Sequence, residues 1–242
     1  MSTPALPTPA FTIALLAFDG MEVLDFAGPF EVFTTASRVF AKLNATETEA
    51  NKSNITSAGV LFDVKSVART PHAVQARAGL RVLPDAGFAT PLQADLLLVP
   101  GGVVDRAMAC PDTLAWVRRM HAASRWTASV CTGAFILAQA GVLTHQHVTT
   151  HWEDQAELQR QFPALRVQSG VRWVEAEDGT DGGRITTSAG ISAGIDMSLH
   201  LVATMADNHM RALGLDGHAL ATQTAHQMEY TWTQPVPPPQ TC

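Results

Sequence analysis

The chain has 242 residues, 46% of them hydrophobic and 16% charged, so it is too apolar for a disordered chain and long enough for a sizeable core. A net charge of −6 without any long Lys/Arg run argues against a nonspecific nucleic-acid binder, which needs a basic face. Three cysteines, an odd and sparse set with no C-x-x-C pair, build no disulfide framework and fit a reducing compartment, so the expected location is the cytoplasm.

The first segment, "MSTPALPTPAFTIALLAFDG", lacks the positive start of a signal peptide, and its apolar run breaks at Asp19, far too short to span a bilayer. Within it "FTIALLAF" (11–18) reads as a strand buried on both faces. "LDFAGPFEVFTTASRVF" follows with helical spacing, and Gly28-Pro29 is expected near its first turn. Residues 44–59 are polar without an apolar period and read as a surface loop. "LFDVKSVA" is the next strand, and "HAVQARAGLRVLPDAGF" reads as a hairpin or two short extended pieces. "ADLLLVP" (94–100) is another buried strand, running into Gly101-Gly102.

"CPDTLAWVRRMHAASR" is a helix opened by Pro111 and Asp112. "WTASV" is a strand, and "TGAFILAQAG" is a helix stopped by Gly141. "HVTTHW" reads as a strand and "EDQAELQRQF" as a helix. "VRWVEAEDGTDGGRITTSA" reads as two strands about a Gly-rich turn. "ISAGIDMSLHLVATMADNHMRALG" is the longest helical pattern, "HALATQTAHQMEY" a last helix, and residues 233–242 an extended Pro-rich tail. Strands alternating with helices predict an α/β fold with a mostly parallel sheet covered on both faces. No internal repeat or linker divides the chain, so one domain over residues 1–242 is expected.

The chemistry centres on "ASVCTGAF". Cys131 lies where a buried strand turns into a helix, with small Ser129 and Gly133 two residues to either side, as a nucleophile elbow requires. The helix start is expected to favour the thiolate and to make Cys131 the first of the three thiols to alkylate. A small cysteine filling a strand end fits the same residues. "LLLVPGG" brings the Gly102 amide to the same edge, where with the Thr132 amide it would hold a developing negative charge, or simply turn the chain. In "DGMEVLDFAGP", Glu22 and Asp25 follow the first strand, and either caps a helix or carries a proton to the cysteine. A carboxyl beside a thiolate is expected to stay partly protonated, because the two charges repel. His151, read as ending the "HVTTHW" strand, is a thiol partner or a structural side chain. His145-x-His147 has no third ligand at a recognisable spacing, so no metal is expected.

Together, "SVCTGAF", "PGG", "TTHW" and "TSAGISAGIDMSLHLV" resemble the DJ-1/PfpI superfamily of class I glutamine-amidotransferase-like folds. "LDFAGPFEVF", "GLRVLPDAGF", "VCTGAFILAQAGVLT" and "QMEYTWTQPVPP" are similar to its isonitrile (isocyanide) hydratase branch, over about residues 11 to 238. Related domains also open AraC-type transcription regulators. The resemblance implies a flavodoxin-like three-layer sandwich, usually a homodimer. It maps the nucleophile to Cys131, the acid to Asp25 (where the wider superfamily carries Glu), the following hydroxyl to Thr132, the thiol partner of other branches to His151, and the backbone amide to Gly102. Gly190 and Ile191 are candidate pocket residues, and the pocket is expected to be apolar from Phe135, Ile136 and Ile191. The implied reaction turns an isonitrile into an N-substituted formamide through a covalent thioimidate, on a small-molecule substrate and without a cofactor. The alternatives are a deglycase, glyoxalase-like enzyme or peptidase of the same superfamily, a ligand sensor, and a protein whose Cys131 responds to oxidation.

Overall fold

The computed structural model describes residues 10–50, 60–176, 184–211 and 213–232, with the side chains of 45–50 left aside. Strand β1 (Phe11–Leu16) is apolar at five of its six positions and almost wholly buried, as a strand flanked on both sides must be. It pairs in parallel with β2 (Phe62–Ala68) and β6 (Leu96–Val99), Ile13 facing Val64 on one side and Leu96 on the other. Between them run helix α1 (Val23–Ala50), the antiparallel pair β3 (Val74–Gln75) and β4 (Arg81–Val82), and the edge strand β5 (Ala86–Gly87). After β6 come the short α2 (Asp105–Met108), α3 (Pro111–Ala123), β7 (Trp126–Val130) and α4 (Gly133–Gln139). β8 (His147–Val148), α5 (Gln155–Gln161) and β9 (Arg166–Val167) follow, with β8 and β9 pairing apart from the main sheet. The chain closes with β10 (Trp173–Ala176), β11 (Arg184–Ser188), α6 (Ala193–Arg211) and α7 (Gly217–Gln227).

Among the described residues the main sheet has seven strands in the order β10-β11-β7-β6-β1-β2-β5, all parallel except β10. α1, α6 and α7 pack on one another as one layer, and α2, α3 and α4 as the other. The α/β three-layer expectation therefore holds. Among the described residues no helix is long and apolar enough to cross a membrane.

Several local expectations give way. Residues 44–50 are helix, the end of α1, where a polar loop was expected; 51–59 and the tail 233–242 lie outside the described residues. A polar stretch can continue a helix once the apolar turns before it are docked. α1 starts at Val23, so Pro29 sits inside it rather than in its first turn. Lacking an N–H, Pro29 cannot bond the Asp25 carbonyl four residues back. The strand expected at "HVTTHW" stops at Val148, and His151 instead precedes a 3₁₀ turn at Trp152–Asp154. The carboxyl ends of β1, β6, β7 and β11 now lie side by side, which is where open parallel sheets bind ligands.

Candidate active site

Two strand-end loops are clasped at this edge. Met21 and Gly102 form an isolated antiparallel bridge, with Glu22 N donating to Gly101 O at 2.8 Å and Val103 N to Gly20 O at 2.9 Å. Gly102 has φ of 134°, and a Cβ there would fall 2.3 Å from Gly20 O. Only glycine fits so close an approach in that conformation. The clasp sets the first turn of α1, and with it Asp25, against the β6 end.

Cys131 follows β7 directly, with φ of 56°, a left-handed conformation rare outside glycine. Its amide donates to Ser188 O and Ala189 O at 3.2 and 3.3 Å, and its carbonyl accepts from Thr150 Oγ1 at 2.8 Å. Gly133 lets α4 start against β6, since a Cβ there would sit 2.3 Å from Val99 O. The strained turn is thus held from three directions, as an elbow must be.

Asp25 is fully buried and faces the Cys131 thiol. Its Oδ1 accepts from Ile191 N at 3.0 Å and its Oδ2 from Gly101 N at 3.2 Å. Burial pushes its carboxyl from an ordinary 3.8 up to about 6, against the lowering effect of Ile191 N–H, Cys131 and Gly101 N–H. The carboxyl is raised, as expected, but the main cause is burial rather than a neighbouring thiolate. The thiol moves the other way from expectation. Burial first, and the Asp25 charge second, push Cys131 up to about 12. The Thr132 amide, directed at the sulfur, opposes them and loses.

Thr132 Oγ1 accepts from Gly102 N at 2.8 Å and donates to Gly102 O at 2.9 Å. The Gly102 amide is therefore engaged, and the expected pair of amides free for a developing charge is reduced to the Thr132 amide. Ile191 has φ of 56°, costly for a β-branched residue, and delivers its N–H to Asp25. Gly190 packs under the His151 ring, where a Cβ would fall 2.2 Å from Cδ2.

Cys131, Thr132, Gly102, His151 and Ile191 line one cavity of about 250 Å³. The apolar pocket expected from Phe135 and Ile136 is absent, because both are buried in the α4 core. Glu22, Arg77, Glu153 and Asp154 line the cavity instead. Arg77 and Glu22 pair at 3.6 Å. His151 Nδ1 lies 3.5 Å from Asp154 and 3.8 Å from Glu153. None of these four charged residues stood out in the sequence except Glu22, because loops far apart in the chain bring them together. His147 faces Gln168 and Arg166. Among the described residues no cluster of three or more metal-ligating acids, histidines or cysteines forms.

The arrangement is an acid and a thiol buried face to face at a strained strand–helix turn. The chain is 28% identical to the isonitrile hydratase of Pseudomonas putida over 95% of its own length and 81% of that protein. It is 32% identical to the HTH-type transcriptional regulator GbdR of Pseudomonas aeruginosa, over 53% of this chain and 33% of the regulator. A crystal structure of a ThiJ/PfpI family protein from Pseudomonas syringae superposes with a TM-score of 0.69 at 26% identity, covering 98% of this chain and 82% of that one. The family model described as "DJ-1/PfpI family" matches residues 11–204, and the chain belongs to that family.

Proposed function

We propose that the chain hydrates isonitriles to N-substituted formamides, with Cys131 as nucleophile and Asp25 as the group that moves each proton. The observation that carries this reading is the buried carboxyl facing the thiol, with its protonation balanced near neutrality at about 6. A likeness to an isonitrile hydratase along 95% of the chain supports it.

In the resting pair the thiol keeps its proton and the carboxyl is largely ionised. The isonitrile carbon is soft and electrophilic, which suits sulfur. As the Cys131 sulfur bonds to that carbon, the thiol proton passes to the Asp25 carboxylate and from there to the same carbon. The product is a thioimidate, Cys131–S–CH=N–R, with Asp25 again a carboxylate. Asp25 next takes a proton from water as the hydroxyl adds to the carbon, and delivers it to nitrogen. The hydroxyl proton finally returns through Asp25 to sulfur as the C–S bond breaks, releasing R–NH–CHO. One acid–base group thus serves each step, and the Thr132 amide steadies charge at the sulfur. His151, held near Asp154 and Glu153, is outside this relay. The polar lining favours an R group that tolerates or uses hydrogen bonds.

The expected assembly is a homodimer acting on a small molecule in the cytoplasm. The test offers the purified protein an aromatic and an aliphatic isonitrile and looks for the formamide. Product that disappears in Cys131→Ala supports the reading. No product from either substrate, beside turnover of methylglyoxal or a glycated amine, transfers the site to another enzyme of the family. A second reading, a ligand sensor, is favoured by the likeness to GbdR and to the AraC family regulator of Pseudomonas putida. It predicts binding without turnover in the same assay.

A further inference from the structure

The amide that Ile191 gives to Asp25 comes from a turn that would not hold itself. A β-branched residue at φ of 56° is strained and persists only where its surroundings over-determine it. Those surroundings are specific. Arg172, just before β10, accepts the Ala189 N–H on its carbonyl at 2.8 Å. Its guanidinium Nε donates to Asp196 Oδ2, and its Nη2 to Ser192 Oγ at 3.2 Å. Asp196 is fully buried on the first turn of α6. Two aromatic residues after α7 add to the grip. Tyr230 OH donates to Ser192 O at 3.4 Å and Trp232 Nε1 to Asp196 O at 3.2 Å. Arg172 therefore bonds the 189–196 segment on either side of the strained residue, its main-chain carbonyl before it and its guanidinium after it.

We propose that Arg172 is a positioning residue: by tying Ala189, Ser192 and Asp196 together, it keeps the Ile191 N–H on the Asp25 carboxyl. It touches no reacting atom and acts only through the turn. The inference rests on the proposed acid role of Asp25, and the readout is chosen to work without an isonitrile. The ionisable groups facing Asp25 are Cys131 and Glu22, and neither contacts Arg172.

The experiment is a pH profile of Cys131 alkylation by iodoacetamide, resolved from Cys110 by peptide mapping, in wild type and in Arg172→Met/Asp196→Asn. The double change avoids leaving a buried charge unpaired, which would itself destabilise the fold. The Ile191 amide holds the Asp25 carboxylate in its charged form. Its loss should therefore move the acid-side midpoint upward, by about half a pH unit or more. Formamide turnover, where present, should fall about tenfold or more. Arg172→Lys should recover part of both. A purely structural role would lower the melting temperature and leave the midpoint in place. If the double variant does not fold, Ser192→Ala, which keeps the ion pair, is read the same way and should give a smaller shift in the same direction. A folded variant with an unmoved midpoint overturns the proposal. A shifted midpoint without any formamide in wild type keeps it and removes the hydratase reading instead.

Discussion

In the proposed reaction Asp25 and Cys131 divide the work of one proton. With the carboxyl at about 6 and the thiol at about 12, the pair rests at neutral pH as carboxylate and thiol. In the proposed reaction the nucleophile is then made as it is used, not stored as a thiolate. This changes the alkylation order. Cys110 caps the N-terminus of α3, is only half-buried, and its thiol is pulled down first by a Thr113 hydrogen bond. Iodoacetamide at pH 7 should label Cys110 ahead of Cys131, and an isonitrile should protect Cys131 alone; mass spectrometry of the peptides decides it. Asp25→Asn should cut turnover by about 10²–10⁴ while the fold survives. Its amide group would face a backbone N–H at either Ile191 or Gly101, so the melting temperature is read beside the assay. In wild type, kcat/KM should rise through about pH 6 and then level, because the carboxylate is the form that accepts the proton. Stability runs the other way. Native Asp25 binds its proton more tightly than the unfolded chain does, so its contribution is full below the ordinary 3.8 and falls away by about 6. The loss is about 3 kcal/mol, and denaturant melts of wild type and Asp25→Ala against pH should differ by that slope. His151→Ala should cost less turnover than Asp25→Asn; equal loss with a native circular dichroism spectrum would assign the thiol's activation to His151. Cys131, Asp25 and Thr132 were legible because each sits in a short motif. Arg77, Glu153 and Asp154 were not, since only tertiary proximity gives them a role.

The elements that sequence reading found are those whose burial leaves a periodic mark. β6 is a continuous apolar run, β1 is apolar at all but Thr12, and α3 and α6 have a strong helical period. The misreadings have one cause. β8 and β9 are two residues each, too short for a period, and residues 44–50 are helical without an apolar stripe. The run 147–152 reads as one strand, yet only His147 and Val148 pair, with β9 and apart from the main sheet. Close packing of elements yields its own test. α4 meets β6 where Gly133 faces Val99 O, and Gly133→Ala would place a Cβ 2.3 Å from that backbone oxygen. A carbonyl in a central strand cannot swing aside, so α4 must shift. The expected cost is about 1–3 kcal/mol in a denaturant melt. Turnover should fall with it, because the same shift carries Cys131 and Thr132 out of line with Asp25.

Across the whole molecule the site is an edge, not a segment. Residues 20–25, 101–102, 131–132, 151–154 and 189–191 reach it as five segments far apart in the chain, which no local pattern in the sequence could have joined. The sheet order β10-β11-β7-β6-β1-β2-β5 was likewise beyond the sequence, although alternation of strands and helices sufficed for the layers. α1 keeps Leu24 and Phe30 about one-third exposed beside the site, and Trp152 is 71% exposed. Exposed apolar side chains of this size suit a self-complementary contact. Sedimentation equilibrium at micromolar concentration should give a dimer, and a monomer would leave them to the substrate or to another partner. The bond from Ile191 to Asp25 spans 166 residues. The acid and the thiol leave the ribosome before the amide that completes the acid, which lies 166 residues beyond it. The proposed relay therefore exists only once the chain has folded through Ile191.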